Sequence, residues 1–245
     1  MKAKVFFTLI SFLLPWTGNL QAQIKPTVEI VDFGKINESE GPKTVRIYVT
    51  NQGQGNAALL KVRPTCGCTA ANFDKEEFAP GDSAWVELTY DPHRRPGRFE
   101  KGVKIYPVEG EMIRVPITGV VFSSPETIQS MFPVDAGLLH LSEKTLMTLS
   151  PLDIDKRNLY MDAYNSGQDP VWIKLKSPSE AIETQPFPSP LMPGDKGLIG
   201  IYIDPLRITE SGPLEYKLEL YTSLSPDSID EPEPFEIILY TEKQH

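Results

Sequence analysis

The chain of 245 residues carries a formal net charge of −9 and contains 23 prolines and 17 glycines. Nucleic acids and anionic membranes are bound through Lys and Arg that neutralise phosphate, so this acidic balance excludes both as general partners. The proline and glycine content and the frequent apolar–polar alternation favour an all-β protein, and the length allows two domains of about 100 residues each.

The first 22 residues predict a cleavable secretory signal. Lys2 and Lys4 form a basic start, VFFTLISFLLPW is a short apolar run, and small Ala22 ends the segment. The run is shorter than the roughly 20 apolar residues that span a bilayer, and no other stretch approaches that length. No cysteine lies near the cleavage point, so a lipid anchor is not expected. We therefore predict an exported, soluble protein of the periplasm or extracellular space without a membrane span.

Period-2 alternation follows along the first half of the chain, in the segments TVRIYVT, SAWVELTY and GVKIY. This pattern is typical of half-buried β-strands, in which every second side chain faces the core. The residues predicted to face inward are Val45, Ile47, Val49, Val86, Leu88, Tyr90, Val103 and Ile105.

An internal repeat organises the chain. VDFGKI returns as VDAGLL, TNQGQ as YNSGQ, and FAPGDSAWVELTYDP as LMPGDKGLIGIYIDP at an offset of 113 residues (193 − 80). Each copy has about seven short strands separated by turn residues, which predicts two tandem immunoglobulin-like antiparallel β-sandwiches. The predicted division is a signal peptide at 1–22, a first domain at 23–122, a linker at 123–133 and a second domain at 134–245.

The two copies act as an internal control. Where they agree, as at Asn51, the Pro-Gly-Asp turns and the Asp-Pro pairs, the shared fold is the simplest cause. They differ at Cys66 and Cys68, the only two cysteines, because the second copy has KLKSPSEAIETQPFPSP in place of the segment that contains RPTCGCTA. The cysteines are therefore interpreted as a local addition to the first domain.

Three segments, VDFGKI, VTNQGQGNAALLKVRPTCGCT and FAPGDSAWVELTYDPHRRPGRFEKGVKIY, resemble the bacterial domain-of-unknown-function family 1573, a group similar to the Hydin-like (ASH) immunoglobulin-type domains. The resemblance runs from Val28 to Val121 and is most specific at Cys-Gly-Cys-Thr. It implies an immunoglobulin-like fold, export and an envelope context, and it carries no activity. The second domain resembles the family only through the repeat, since it lacks Cys-Gly-Cys.

Several roles remain open for Cys66 and Cys68. An oxidising compartment permits a disulfide, but a loop this short would gain only about 1.6 kcal/mol of entropic stabilisation, against about 3 kcal/mol for 15 residues. A passive clip, a thiol–disulfide role and copper binding with His93 as a weak further candidate ligand are the alternatives. Zinc is less favoured because it takes four nitrogen or sulfur ligands.

Strand alternation would place the segment DPHRRPGR at the same end of the sandwich as the cysteines. This inference requires a strand between Ala70 and Phe78. Positive neighbours would then lower the pKa of a cysteine thiol. The alternative is a solvated basic cluster that contacts the acidic loop NESEG. The side chains concerned are Arg63, His93, Arg94, Arg95 and Arg98.

The sequence contains no Gly-Lys-Ser/Thr phosphate loop, Gly-x-Ser-x-Gly elbow or His-Glu-x-x-His motif. It therefore predicts a non-enzymatic binding or scaffolding module of the bacterial cell envelope, without a cofactor. The expected partner is an envelope protein or glycan, bound through sandwich-end loops or an exposed edge strand. The alternatives are a periplasmic thiol–disulfide or copper-handling protein and, on fold analogy alone, a periplasmic chaperone-like protein.

Overall fold

The computed structural model describes residues 23–148, 151–152, 155–230 and 233–243. The predicted signal peptide, residues 1–22, lies outside the described residues. In the described part of the chain, no helix has the length and apolar character needed to cross a membrane. The fold is all-β, and two immunoglobulin-like sandwiches follow one another along the chain, each with its own apolar core, which confirms the predicted fold class.

The first sandwich pairs its strands in the orders β1-β3-β6-β5 and β2-β8-β7-β4. Its strands are β1 (Ile24–Pro26), β2 (Val31–Asn37), β3 (Lys43–Asn51), β4 (Leu59–Pro64), β5 (Thr69–Phe73), β6 (Ser83–Tyr90), β7 (Gly97–Pro107) and β8 (Ile113–Phe122).

The second sandwich pairs its strands in the orders β14-β15-β12-β10-β9 and β11-β17-β16-β13. Its strands are β9 (Val134–Asp135), β10 (His140–Leu141), β11 (Thr145–Met147), β12 (Arg157–Tyr164), β13 (Trp172–Lys176), β14 (Ile182–Phe187), β15 (Lys196–Ile203), β16 (Gly212–Ser223) and β17 (Phe235–Lys243).

The alternating segments form the central strands, as predicted. Val49, Val86, Leu88, Val103 and Ile105 are completely buried between the two sheets of the first sandwich. Pairing within the sheets is antiparallel with one type of exception: β2 runs parallel to β8, and β11 runs parallel to β17. In the first sandwich, the parallel pair arises because the N-terminal segment changes sheets. It pairs with β3 in one sheet as β1 and then continues in the same direction into the other sheet as β2, beside β8.

The repeat is reproduced in hydrogen bonds. Asn51 and Asn165 are both fully buried, and each side-chain amide donates to two main-chain carbonyls, at 2.7 and 3.2 Å for Asn51 and at 2.8 and 2.9 Å for Asn165. Gly97 and Gly212 begin β7 and β16 with positive φ angles of 95° and 94°, a conformation that favours glycine. The shared residues therefore serve the fold, as the comparison of the two copies indicated.

Within the predicted linker lies a short helix, α1 (Pro125–Met131), which the strand patterning did not predict. Ser124 caps it by accepting a hydrogen bond from the Thr127 N–H at 3.2 Å, and Pro125 occupies the first helical position. Serine followed by proline is a recognised helix-start signal. The following residue, Phe132, stacks on Tyr164 of the second sandwich with ring centroids 5.2 Å apart.

Candidate functional site

The two cysteines lie at a corner of the first sandwich, where the chain passes from β4 in one sheet to β5 in the other. We call residues 65–68 the cysteine corner. Thr65 fastens it to β7, donating its N–H to the Gly102 carbonyl at 2.8 Å and accepting the Gly102 N–H at 3.0 Å. At its other end, the Asp91 N–H donates to the Cys68 carbonyl at 2.9 Å. The strand that the sequence argument required after the cysteines is therefore present as β5.

Cys66 and Cys68 are joined by a disulfide, with their Cα atoms 5.3 Å apart. A disulfide was one of the possibilities that the sequence left open for this pair. Cys68 is buried, Cys66 is partly exposed and Gly67 is exposed at the tip of the corner. The Thr69 hydroxyl lies 3.5 Å from the sulfur of Cys66 and 3.9 Å from that of Cys68. Cys68 therefore belongs to the core, and Cys66 packs against the core while remaining partly exposed.

An open recess lies beside the disulfide. Its lining includes the stacked rings of Tyr90 and Phe99, whose centroids are 4.0 Å apart, and the cationic side chains of Arg95, Arg98 and Lys101. Burial raises the pKa of Tyr90, so its phenol is neutral at physiological pH. The recess thus presents positive charge above two rings that belong to the core, since Tyr90 is 1% and Phe99 is 7% exposed. The patterning had placed Tyr90 in the core and had not singled out Lys101.

Two of these cations already have acidic partners. Arg95 lies 3.1 Å from the Asp91 carboxylate and also donates to the main-chain carbonyl of His93 at 2.9 Å, so it braces its own loop. The Arg98 guanidinium lies 3.4 Å from the carboxylate of Asp195, which belongs to the second sandwich. The recess therefore borders the second sandwich.

His93 and Arg94 take part in a different arrangement, centred on the buried carboxylate of Glu38. This carboxylate accepts hydrogen bonds from the Arg94 N–H at 2.7 Å, the Thr127 hydroxyl at 2.7 Å and the Ser124 N–H at 2.8 Å. Its side chain is only 4% exposed, and His93 lies 3.7 Å away. Burial by itself raises the pKa of Glu38, but the three hydrogen bonds and the His93 charge together lower it below its ordinary value.

The structure therefore divides the predicted basic cluster. Arg95 and Arg98 line the recess beside the disulfide, whereas His93 and Arg94 contact Glu38 of the NESEG loop, and Arg63 is an exposed residue of β4 opposite Lys104. Thiol tuning by these residues stays a prediction, since both sulfurs are bonded to each other here. No sequence signal separates Glu38 from its acidic neighbours.

Metal binding by the cysteines also stays a prediction. His93 and the cysteines line separate recesses, so the structure does not bring the three suggested ligands together. Among the described residues, no group of three or more His, Cys, Asp or Glu side chains is arranged to hold a metal ion.

The second sandwich builds the corresponding corner without cysteines. Ala181 is the counterpart of Cys68 at the repeat offset of 113 (181 − 68) and is equally buried. The Asp204 N–H donates to the Ala181 carbonyl at 2.8 Å, which matches the bond from Asp91 to Cys68 at 2.9 Å. A disulfide is therefore not required to turn the chain between the sheets at this position.

Serine side chains hold this second corner instead. Ser177 accepts the Ser179 N–H at 3.2 Å, and Ser179 accepts the Ala181 N–H at the same distance. Such local hydrogen bonds are the usual means by which serine stabilises a turn. The cysteine corner is thus a feature that distinguishes the first sandwich from its copy.

The family model described as "Protein of unknown function (DUF1573)" matches residues 24–121, so the first sandwich is a DUF1573 domain, as the sequence resemblance indicated. No curated protein matches the chain. Among solved structures, a protein of unknown function from Porphyromonas gingivalis W83 is similar at 13% identity and a TM-score of 0.38, over 89% of this chain and 99% of that one.

Two single-domain structures are also similar. The ASH / PapD-like domain 7 of human CEP192 shares 10% identity with a TM-score of 0.36, over 45% of this chain and 87% of its own. WR4, a Caenorhabditis elegans MSP family member, shares 16% identity with a TM-score of 0.30, over 44% of this chain and 98% of its own. With TM-scores below 0.5, these similarities carry no functional conclusion.

Proposed function

We propose that this chain is an exported, non-enzymatic binding protein of the bacterial cell envelope, which recognises a partner protein through the cysteine corner and the adjoining recess. The observation that carries the proposal is the difference between the two corners. The second sandwich turns at Ala181 without a disulfide, whereas the first adds one at Cys66 and Cys68. A cross-link that the fold does not need is well suited to shaping an exposed loop for recognition.

The physical benefit of such a loop lies in binding. Association requires flexible loops to lose conformational freedom, and a loop that is already constrained loses less. Gly67 is exposed at the tip, and Cys66 is partly exposed beside it. Loops at the ends of a rigid sandwich are common binding positions. The exposed Lys101 favours a partner segment that carries a carboxylate.

The contacts of the recess support a role without catalysis. Arg95 and Arg98 are held by Asp91 and Asp195, and the neutral Tyr90 phenol is stabilised by burial. A general acid or base needs a pKa near the working pH and a reachable proton. These groups instead provide shape and charge, which are the properties of a recognition surface.

Affinity capture from native envelope fractions tests the proposal. The double variant Cys66→Ser/Cys68→Ala removes the disulfide and places alanine where the second sandwich has Ala181. The control Ser179→Ala alters the equivalent corner of the second sandwich. We expect the captured amount of one or more specific partners to fall at least tenfold with the double variant and to be unchanged with the control. Circular dichroism should show that both variants are folded. Equal capture by both variants would contradict the proposal.

Export is tested separately. Cleavage after Ala22 leaves a mature chain that begins at Gln23, so intact mass and cell fractionation of the native protein should show this species outside the cytoplasm. A full-length chain retained in the cytoplasm would overturn the proposed localisation.

A thiol–disulfide role is the second candidate, favoured by the partial exposure of Cys66 in an open recess. An attacking thiolate would bond to the Cys66 sulfur, the bond between the two sulfurs would break, and Cys68 would leave as a thiolate. Structural disulfides have reduction potentials below about −300 mV, so a potential well above this value supports exchange and a lower one supports a fixed loop. A copper titration of the reduced protein, with His93→Ala as a variant, tests copper handling.

A further inference from the structure

The second sandwich presents a group of aromatic and apolar side chains on the outer face of the sheet formed by β12, β15 and β14. Tyr160 is 49% exposed, Leu198 is 40% exposed and Phe187 is 72% exposed, and Tyr202 is partly exposed. We call these four residues the aromatic face. The strand register places Leu198 directly beside Phe187, and Tyr202 follows on the same face of β15.

The arrangement of the two tyrosines depends on Gly200. A Cβ atom built on Gly200 would lie 2.7 Å from the Tyr202 hydroxyl oxygen, so the Tyr202 ring lies across this glycine, close to the sheet. Tyr160, on the neighbouring strand, meets that ring edge-on at 88°, with centroids 6.3 Å apart. The result is one ring resting on the sheet beside another that is perpendicular to it.

Polar side chains that can bond hydroxyl groups surround the rings. Asn158 and Glu183 are the neighbours of Tyr202 on the two adjacent strands, and Gln185 is the neighbour of Gly200. All three are exposed. Carboxylate and amide oxygens accept hydrogen bonds, and amide nitrogens donate them. A ligand hydroxyl group, which both donates and accepts, can therefore find an acceptor and a donor here.

The first sandwich covers the same face differently. Gly200 corresponds to Glu87 at the repeat offset (200 − 87 = 113), and Glu87 forms an ion pair with Arg46 at 2.8 Å. The Arg46 guanidinium in turn lies over the ring of Trp85, 4.9 Å from its centroid. Tyr48 is also exposed on this face of the first sandwich, beside Trp85, so the feature specific to the second sandwich is the ring that rests on a glycine with a second ring perpendicular to it.

From this geometry we infer that the aromatic face binds a neutral polysaccharide chain. A hexose ring presents apolar C–H groups on its faces and hydroxyl groups around its edge. The Tyr202 and Tyr160 rings can contact the C–H groups while Glu183 and the amides bond the hydroxyls. The inference goes beyond the proposed function, since it concerns a different sandwich and a different class of ligand.

Charge and strand chemistry select this ligand over others. Asp162 is paired with Lys196 at 3.5 Å, so the carboxylate of Glu183 and the chain net charge of −9 are what disfavour anionic polymers. A protein segment adding to the edge strand β14 is disfavoured because Pro186 has no N–H to donate and proline blocks edge pairing. The flat face therefore suits a ligand that stacks on it.

Affinity electrophoresis of the mature protein tests the inference, using native gels that contain a mixed-linkage β-glucan, a mannan, a galactan or the anionic polygalacturonate. We expect retardation by at least one neutral polysaccharide. Tyr160→Ala, Tyr202→Ala and Phe187→Ala should each raise the apparent Kd at least tenfold, about 1.4 kcal/mol of binding free energy. The control Tyr48→Ala removes a 47% exposed tyrosine from the first sandwich and should change it less than twofold.

Phe187 is so exposed that its replacement cannot disturb the core, which keeps the test valid if a tyrosine variant fails to fold. Retardation by polygalacturonate alone, by no polymer, or equally in Tyr48→Ala and the face variants overturns the inference. If no neutral polysaccharide binds but partner capture through the cysteine corner is observed, only the inferred glycan site is refuted. If a neutral polysaccharide binds but no captured partner depends on the cysteine corner, only the proposed function is refuted.

Discussion

Replacing Glu38 by glutamine is expected to release the helix α1 from the first sandwich. The Glu38 carboxylate joins three segments, because it accepts hydrogen bonds from the Arg94 N–H, the Ser124 N–H and the Thr127 hydroxyl. Two of these donors belong to the start of α1. Glutamine has nearly the same shape but keeps one acceptor oxygen and replaces the other with an NH₂ group that only donates.

The expected loss follows from these three contacts. In its best orientation, the introduced glutamine would keep the bonds from Arg94 and Thr127, and its NH₂ group would face the Ser124 N–H, so one charge-assisted bond is lost. Such a bond contributes about 1.5–3 kcal/mol, and the two that remain become weaker neutral bonds. With the side chain 4% exposed, water does not replace them. We expect the free energy of unfolding to fall by about 2–4 kcal/mol.

Urea unfolding followed by circular dichroism measures this loss, and chymotrypsin cleavage after Met131 reports local release of α1. Glu40→Gln is the matched control, since Glu40 carries the same charge two residues away but is exposed. It should change the free energy of unfolding by less than about 0.5 kcal/mol. An unfolding midpoint and a cleavage rate for Glu38→Gln equal to those of Glu40→Gln would refute the assignment of this carboxylate as the joint between α1 and the sandwich.

Three further outcomes are expected. Hydrogen bonds lower the pKa of Glu38 in the folded protein below its ordinary value of 4.5. The contribution of this carboxylate to stability is therefore complete at higher pH and disappears as the pH falls through the folded pKa. In acid, the urea unfolding curves of wild type and Glu38→Gln should converge. Asn165→Ala should lower the free energy of unfolding by about 2–4 kcal/mol, measured in urea, because the buried Leu191 carbonyl and the partly buried Asp169 carbonyl lose their donor; no change would contradict this. Gly97→Ala and Gly212→Ala both place alanine at a positive φ, but only at Gly97 would the new Cβ lie 3.0 Å from the Lys196 nitrogen. The thermal midpoint of Gly97→Ala should therefore fall further than that of Gly212→Ala, by a shift that corresponds to roughly 1 kcal/mol of stability. Equal midpoints would count against this contact between the sandwiches.

Much of the fold could be predicted from local sequence alone. Strand alternation identified Val86 and Leu88 as core residues because a strand buries every second side chain whatever its partners are. The repeat identified Asn51 and Asn165 as structural, since two unrelated functions would not preserve the same turn. The short helix α1 was not predicted, although Ser124-Pro125 is a helix-start signal. Seven residues are too few for a repeating apolar pattern with helical spacing to be recognised.

The candidate sites were only partly predictable. Strand alternation placed the whole segment DPHRRPGR at the end of the sandwich that holds the cysteines. In the structure Arg95 and Arg98 line the recess beside the disulfide, whereas His93 and Arg94 face the other way, toward Glu38. Neighbouring residues in a turn can face opposite surfaces. Their separation depends on loop geometry that residue types do not encode.

An all-β repeat with one cysteine pair can be recognised from the residues alone, because alternation, turn residues and self-similarity are local properties of the chain. The three-dimensional fold was needed to show that Cys68 and Ala181 occupy equivalent corners, and that Tyr202 lies over Gly200 where the first sandwich has the Glu87 ion pair. These relations depend on which strands lie side by side. Strand pairing is a long-range choice, set by the packing of two sheets against one core, and a linear pattern does not contain it.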